Sequence, residues 1–248
     1  MIIDCISDLH GFLPELEGGD LLIIAGDHTA SDKLTEWAEF FHWLKKQDYK
    51  KKILIAGNHD GFMENGFPKN QKEAHDLQEV REFLEEIGEQ LDTDFQYLCD
   101  SGTEFEGLNI WGTPWTKTFP RMNSKCKAFT VDTEEELMDK FKIIPNNIDI
   151  LISHGPISNI LDENFYFNKC GSHSLGRLIF DIKPSYHIFG HIHEQGGKTI
   201  SLNYENKFNC THINCSHVNE KYKPVNTPIR IELQFTKGKY HHTRFPNE

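Results

Sequence analysis

The sequence predicts an α/β fold, and three observations predict it. Five short apolar runs are the right length for strands buried on both faces and too short for core helices. Stretches with apolar residues at helical spacing lie among them. Each of the five runs also stops at a residue whose side chain can bind a metal or a proton. In open α/β sheets, the crevice beyond the carboxyl ends of the strands is where ligands bind.

The first run, Met1-Ile2-Ile3-Asp4-Cys5-Ile6-Ser7, leads into Asp8-Leu9-His10-Gly11, and the second, Asp20-Leu21-Leu22-Ile23-Ile24-Ala25-Gly26, into Asp27-His28. Residues 31–52 read as a helix capped by Ser31 or Asp32, with Leu34, Trp37, Ala38, Phe41 and Leu44 on one face. The third run, Lys52-Ile53-Leu54-Ile55-Ala56-Gly57, opens into Asn58-His59-Asp60 and completes a strand-helix-strand unit. Residues 64–70 read as a loop. Residues 71–91 read as a charged helix with Leu77, Val80, Phe83, Leu84 and Ile87 on one face.

From Phe95 the pattern shortens to strands at 95–98, 103–106 and 108–112, separated by Asp100-Ser101-Gly102 and Glu106-Gly107. Residues 113–117 should form a loop. Residues 133–141 carry the capping-box signature of a helix, Thr133 with Glu136 three residues on. The fourth run, Asp149-Ile150-Leu151-Ile152-Ser153, leads into His154-Gly155-Pro156; a loop at 157–172 and a helix at 174–182, stopped by Pro184, follow. The fifth, Tyr186-His187-Ile188-Phe189-Gly190, leads into His191-Ile192-His193. Short strands are expected near 198–202 and 211–215. Residues 229–235 alternate as an edge or half-buried strand should. No repeat, linker or low-complexity segment interrupts the chain, so one domain over 1–248 is expected.

Composition narrows the function classes. The net charge of −12 gives no basic footprint for duplex nucleic acid. A compact phosphoester remains compatible, because bound metal ions reverse the local field. No stretch approaches the ~20 consecutive apolar residues of a membrane span, and the N-terminus lacks the pattern of a signal peptide. Six cysteines without CxxC spacing are expected as free thiols in a reducing cytoplasm.

Asp8 and His10 are two residues apart and so share a side of an extended chain; His191 and His193 repeat that spacing. Each motif alone has a bland reading. A D-x-H tripeptide is common, histidines serve as half-buried polar groups, and Asn58-His59-Asp60 would suit an Asx turn. The bland reading has to hold at all five strand ends at once, and metal chemistry explains the convergence with one cause. A mixed oxygen and nitrogen donor set without sulfur suits manganese, iron, zinc or nickel.

These motifs, Asp8-Leu9-His10-Gly11, Gly26-Asp27, Gly57-Asn58-His59-Asp60, His154 and Gly190-His191-Ile192-His193, resemble in order and spacing the series of the calcineurin-like metallophosphoesterases. The flanking words Gly112-Thr113-Pro114-Trp115-Thr116, His154-Gly155-Pro156 and Pro224-Val225-Asn226-Thr227-Pro228 resemble its metallophosphoesterase-domain-containing branch, which is similar to class III cyclic-nucleotide phosphodiesterases. The resemblance implies a four-layer α/β/β/α sandwich with two central mixed sheets flanked by helices. It implies two metal ions, with Asp8, His10 and His193 on the first, Asp27 bridging, and Asn58, His154 and His191 on the second. His59 would assist the leaving group and Asp60 would orient its imidazole. The implied reaction is hydrolysis of a small phosphodiester, nucleotide-like and including cyclic nucleotides, by in-line attack of a metal-activated water.

A phosphomonoesterase, a nucleic-acid end-processing enzyme and an inactive binding module are the alternatives. Trp115 and His173 are candidate substrate contacts. Phe119 and Phe129 share the stretch after Trp115. His28 is expected on the surface or in packing, with a supporting contact behind the metal ligands as the alternative; Lys117, Arg121, Lys125 and the pair His241-His242 are expected to be solvated.

Overall fold

A computed structural model of the chain describes residues 1–65, 95–119, 122–236 and 239–244. The expected helix at 71–91, most of the expected loop at 64–70, and Arg121 lie outside the described residues. All five apolar runs are strands: β1 (Ile2–Ile6), β2 (Gly19–Ala25), β3 (Tyr49–Ile55), β9 (Ile150–Ser153) and β10 (Tyr186–Phe189). Between them come β4 (Phe95–Tyr97), β5 (Ser101–Phe105), β6 (Leu108–Thr113) and the short β7 (Thr116–Lys117) and β8 (Thr130–Val131). After β10 come β11 (Lys198–Tyr204), β12 (Phe208–Asn214), β13 (Ile229–Thr236) and β14 (Lys239–Arg244). The helices are α1 (Leu34–Lys46), α2 (Gly61–Asn65), α3 (Glu134–Phe141) and α4 (His173–Ile182).

Two six-stranded mixed sheets form the centre. The first runs β14-β13-β1-β2-β3-β4 and the second β11-β12-β10-β9-β6-β5. In the first, β1 to β4 are parallel, and β13 joins β1 antiparallel with Ile3 opposite Ile231. In the second, β6, β9, β10 and β12 are parallel, and β5 and β11 close the edges antiparallel.

The period-2 alternation of strands assigns the faces. Ile3, Cys5, Leu21, Ile23, Ala25, Ile53 and Ile55 meet Ile110, Ile150, Ile152, Ile188 and Ile213 in one buried layer between the sheets. Their alternates Ile6, Leu22, Ile24 and Leu54 face outward onto Trp37, Phe40, Phe41 and Leu44 of α1. On the far side, Leu151 packs against Leu137 and Phe141 of α3 and Leu175, Ile179 and Ile182 of α4. Helix, sheet, sheet, helix is the layer order the resemblance implies. Among the described residues, no helix is long and apolar enough to cross a membrane.

Several boundaries moved. The helix expected over 31–52 is α1 over Leu34–Lys46, and Tyr49 already belongs to β3. The Lys50-Lys51-Lys52 run reads as the polar end of a helix, but in the strand Lys50 is exposed while Lys52 is buried over the Phe95 ring. Neither Ser31 nor Asp32 caps α1. The Asp32 carboxylate instead accepts from Trp37 Nε1 (2.8 Å) and the Phe62 amide (3.1 Å), tying α1 to α2. The Thr133 cap of α3 is present as expected, with Glu136 returning to the Thr133 amide. His241 and His242 lie within β14 and not in a free tail.

Candidate metal centre

The carboxyl ends of β1, β2, β3, β9 and β10 deliver Asp8, His10, Asp27, Asn58, His154, His191 and His193 to one place. Beyond the strands the loops stay zipped together: Asp8 N donates to Gly26 O, His10 N to Asp27 O, and Gly190 N to His154 O. Asp8, His10, Asp27 and His191 all adopt positive φ, between 43 and 67°. Such conformations are costly for side-chain-bearing residues, least so for Asp, Asn and His, and they collect at functional sites. Glycines make the approach close enough. Gly26 has φ of 95°, and a Cβ there would sit 2.6 Å from His154 Nδ1. A Cβ on Gly190 would collide with Ser7 and Asp8.

Three groups of donor atoms each lie within 4.8 Å of one another: Asp8, His10 and His193; Asp8, Asp27 and His154; and His10, Asp27 and His59. In the first, His193 Nε2 lies 3.2 Å from Asp8 Oδ1 and 3.3 Å from His10 Nε2. Asp27 reaches both ways, Oδ2 at 3.7 Å from His10 Nε2 and Oδ1 at 3.4 Å from His154 Nε2.

The chemistry of the His154 corner tests whether a cation fits. His154 Nδ1 donates to Ala25 O (2.9 Å), which leaves the Nε2 lone pair facing inward. Asn58 Nδ2 donates to Cys126 O (3.0 Å), so its Oδ1 also faces inward, 3.1 Å from His154 Nε2. With Asp27 Oδ1, three electron-pair donors meet around the neutral His154 ring, an arrangement that a cation, or a proton on Nε2, satisfies. The electrostatics agree. Burial works against a charged His154, yet Asp27 and Asp8 push its imidazole up to about 9. Burial would raise the Asp8 carboxyl, but the His193 hydrogen bond and charge hold it below the usual carboxylate range. His191 is pushed down to about 3 by burial and by His154 beside it, with their rings 5.0 Å apart. Burial also takes His10 down to about 4.

His59 is half-buried. Its ring stands edge-on to His10 at 4.6 Å and its Nδ1 faces Ala30 O at 3.3 Å. The expectation that Asp60 orients this ring is not met. The Asp60 carboxylate turns inward and accepts from the amides of Asp27 (2.8 Å), His28 (3.0 Å) and Gly57 (2.7 Å), and faces His28 Nδ1 at 2.9 Å. It clasps the Asp27 loop to the Asn58 loop. His28 is accordingly fully buried, packed on Phe40 and Trp37, and not on the surface.

Trp115 Nε1 donates to Asp100 Oδ2 (2.6 Å), and its ring lies under Lys140 Nζ at 3.6 Å. His173 begins α4 with its side chain exposed. Phe129 is buried against Trp115 and Phe119 is exposed. Lys117 is partly exposed, 4.0 Å from Glu134.

The sequence reading missed two supports and one neighbouring ring. Ser7 Oγ donates to Asp8 Oδ2 (2.5 Å), the Cys126 carbonyl sets the Asn58 amide, and the Tyr222 ring lies edge-on to both His10 (4.9 Å) and His193 (5.1 Å). Ser7 adjoins Asp8 in sequence and so had a local signal; the other two are long-range contacts with none.

Comparison with known proteins agrees with this geometry. The family model described as calcineurin-like phosphoesterase matches residues 1–195. Metallophosphoesterase domain-containing protein 1 of Homo sapiens is 32% identical over 238 residues, covering 92% of this chain and 70% of its own. A UPF0046 protein of Caenorhabditis elegans is 31% identical over 244 residues, covering 95% of this chain and 82% of its own. Among solved structures, one aligns over 98% of both chains with a TM-score of 0.58 at 13% identity. A Thermus thermophilus protein aligns over 87% of this chain and 90% of its own, with a TM-score of 0.52 at 15% identity. These two likenesses concern the fold.

Proposed function

The chain belongs to the calcineurin-like phosphoesterase family, and from that premise we propose that it is a metal-dependent hydrolase of small phosphodiesters, nucleotide-like and including cyclic nucleotides. The observation that carries the reading is the Asp27 carboxylate, which points one oxygen toward His10 and the other toward His154. Asp8, His10 and His193 would hold one ion, Asn58, His154 and His191 a second, and Asp27 both. Two such ions, when bound, supply Lewis acidity to the phosphoryl oxygens and lower the pKa of a water.

The protein's own residues do the rest. Ser7 and the His191 amide hold the Asp8 carboxylate in one orientation. Ala25 O fixes the tautomer of His154, and Cys126 O fixes the flip of Asn58. Asp60 locks the two central loops together through the Asp27, His28 and Gly57 amides. His59 Nδ1 donates to the Ala30 carbonyl, so Nε2 would give a proton to the departing alkoxide from the imidazolium form, in which both ring nitrogens carry hydrogen. Manganese, iron, zinc and nickel all suit the donor set. Six free cysteines support a reducing, cytoplasmic setting. The net charge of −12 disfavours extended duplex nucleic acid as substrate.

The test is hydrolysis by metal-stripped protein after adding back Mn²⁺, Ni²⁺, Zn²⁺ or Mg²⁺. Bis(4-nitrophenyl) phosphate is compared with 4-nitrophenyl phosphate, then 2′,3′- and 3′,5′-cyclic nucleotides. The expected result is metal-dependent cleavage that favours the diester. A monoester preference would promote the phosphomonoesterase reading, and metal binding without turnover would reduce the chain to a binding module.

A further inference from the structure

Two turns in different parts of the chain share one construction. In residues 164–168, Asn-Phe-Tyr-Phe-Asn, the Asn164 carbonyl accepts from the Phe167 amide (2.9 Å) and the Asn164 amide donates to Asn168 O (3.1 Å). The Asn164 side-chain oxygen accepts from the amides of Tyr166 (3.0 Å) and Asn168 (3.1 Å). In residues 219–223, Asn-Glu-Lys-Tyr-Lys, the Asn219 carbonyl accepts from the Tyr222 amide (2.8 Å) and the Asn219 amide donates to Lys223 O (2.9 Å). The Asn219 side-chain oxygen accepts from the amides of Lys221 and Lys223, both at 3.0 Å. Each turn uses the same four hydrogen bonds and puts its fourth residue in the left-handed region, Phe167 at φ 61° and Tyr222 at φ 53°.

That position ordinarily suits glycine or asparagine, and a bulky aromatic there is an outlier. Both turns spend the strain on displaying a ring. Phe167 is 80% exposed and Tyr222 48% exposed. Nor are the rings at arbitrary places. Tyr222 stands edge-on to His10 and His193. The other turn is fastened to the residues that follow His193: the Phe165 amide donates to Glu194 Oε1 (2.7 Å), and Gln195 Nε2 donates to Glu163 O (2.8 Å). An exposed aromatic loses apolar hydration only when something covers it, and a flat π-system is the partner that covers it with the best geometry.

We propose that Tyr222, beside His193, and farther out Phe167, whose turn is fastened to Glu194 and Gln195, hold the aromatic ring of the phosphoester whose phosphate sits among the convergent ligands. The proposal rests on the phosphoesterase reading and sharpens its substrate class: the organic group is a nucleobase or aryl ring. Tyr222 is the main contact and Phe167 the outer one.

Tyr222→Asn deletes the ring while keeping a residue that tolerates the left-handed backbone; Phe167→Ala removes the second ring. Neither residue belongs to the ligand set. Affinities of the Mn²⁺-loaded proteins for adenosine monophosphate and for inorganic phosphate are measured by calorimetry, beside thermal melting and metal content. Tyr222→Asn is expected to weaken adenosine monophosphate about tenfold or more, the scale of one base–aromatic stack, with phosphate affinity, melting and metal content within about twofold or unchanged. Phe167→Ala is expected to give a smaller loss of the same kind.

Equal weakening of both ligands, loss of metal from Tyr222→Asn, or unchanged nucleotide affinity would overturn the proposal, and so would wild-type protein with no preference for the nucleotide over phosphate. If no ester is turned over with any metal while the nucleotide-specific loss persists, the phosphoesterase reading fails and the ring contact stands.

Discussion

Two histidine clusters in this chain are made of the same side chain and do opposite things. Inside the second sheet, His187 and His212 sit fully buried with Nδ1 atoms 3.1 Å apart. Their hydrogen bonds close in one direction only. Ser153 Oγ donates to Gly155 O, so it accepts from His187 Nε2 (2.7 Å). His187 Nδ1 is then an acceptor for His212 Nδ1, and His212 Nε2 accepts the Tyr204 hydroxyl at 2.7 Å. Both rings are neutral and every nitrogen is used. At the strand ends the bonding stays open at the His154 corner. His154 Nε2, Asn58 Oδ1 and Asp27 Oδ1 face each other as electron-pair donors. A structural histidine completes its own hydrogen bonding, whereas a ligand histidine leaves a defined deficit for a cation.

The comparison breaks most visibly at Asp27. Asp27→Asn keeps the shape and removes the charge shared by both halves of the site. We expect kcat on a diester to fall on the order of 10³-fold, comparable with losing a preorganised electrostatic contact, while circular dichroism stays native. A loss under tenfold would show that the convergence is not the reactive centre.

The inner pair predicts an acid-sensitive fold. Burial lowers His212 from 6.5 to about 4. The unfolded chain therefore takes up a proton at this residue before the folded one does. Its contribution is complete above pH ~6.5 and is lost as pH falls through about 4, up to about 3 kcal/mol for a shift of this size. Denaturant unfolding from pH 7 to 4 checks the slope, and His212→Phe should flatten it. An unchanged slope in that variant would assign the acid sensitivity elsewhere.

His59 should separate leaving groups. His59→Ala is expected to slow alkyl diesters about 10²-fold, the usual scale of general-acid help, and aryl diesters by only a few-fold. Equal losses on both would remove it as the proton donor. The smallest effect on activity belongs to His187→Leu, which strands Ser153 and His212. It should cost roughly 1–3 kcal/mol of stability and leave turnover per folded molecule within about threefold.

Much of this was legible because the signals are local. Apolar runs such as Leu21-Leu22-Ile23-Ile24 require two covered faces, and alternation sent Ile23 to the inter-sheet layer and Ile24 onto α1. Metal-type residues just past those runs marked the candidate ligand set. The start of β3 was hidden because Lys50-Lys51-Lys52 is polar on average, although burial alternates along it. Asp60 was misjudged since adjacency to His59 suggested a partnership, while its carboxylate is consumed by three backbone amides that only the fold brings near. Tyr222 carried no signal at all, because its place beside His10 comes from a turn more than 200 residues away in sequence.

The most direct test of the contrast is metal content. Wild-type, Asp27→Asn and His187→Leu proteins are reconstituted with Mn²⁺ or Zn²⁺, desalted and assayed by elemental mass spectrometry, with native circular dichroism required of each. The account predicts about two equivalents in the wild type and in His187→Leu, and a marked loss in Asp27→Asn. Equal metal content in all three, or loss confined to His187→Leu, would contradict it.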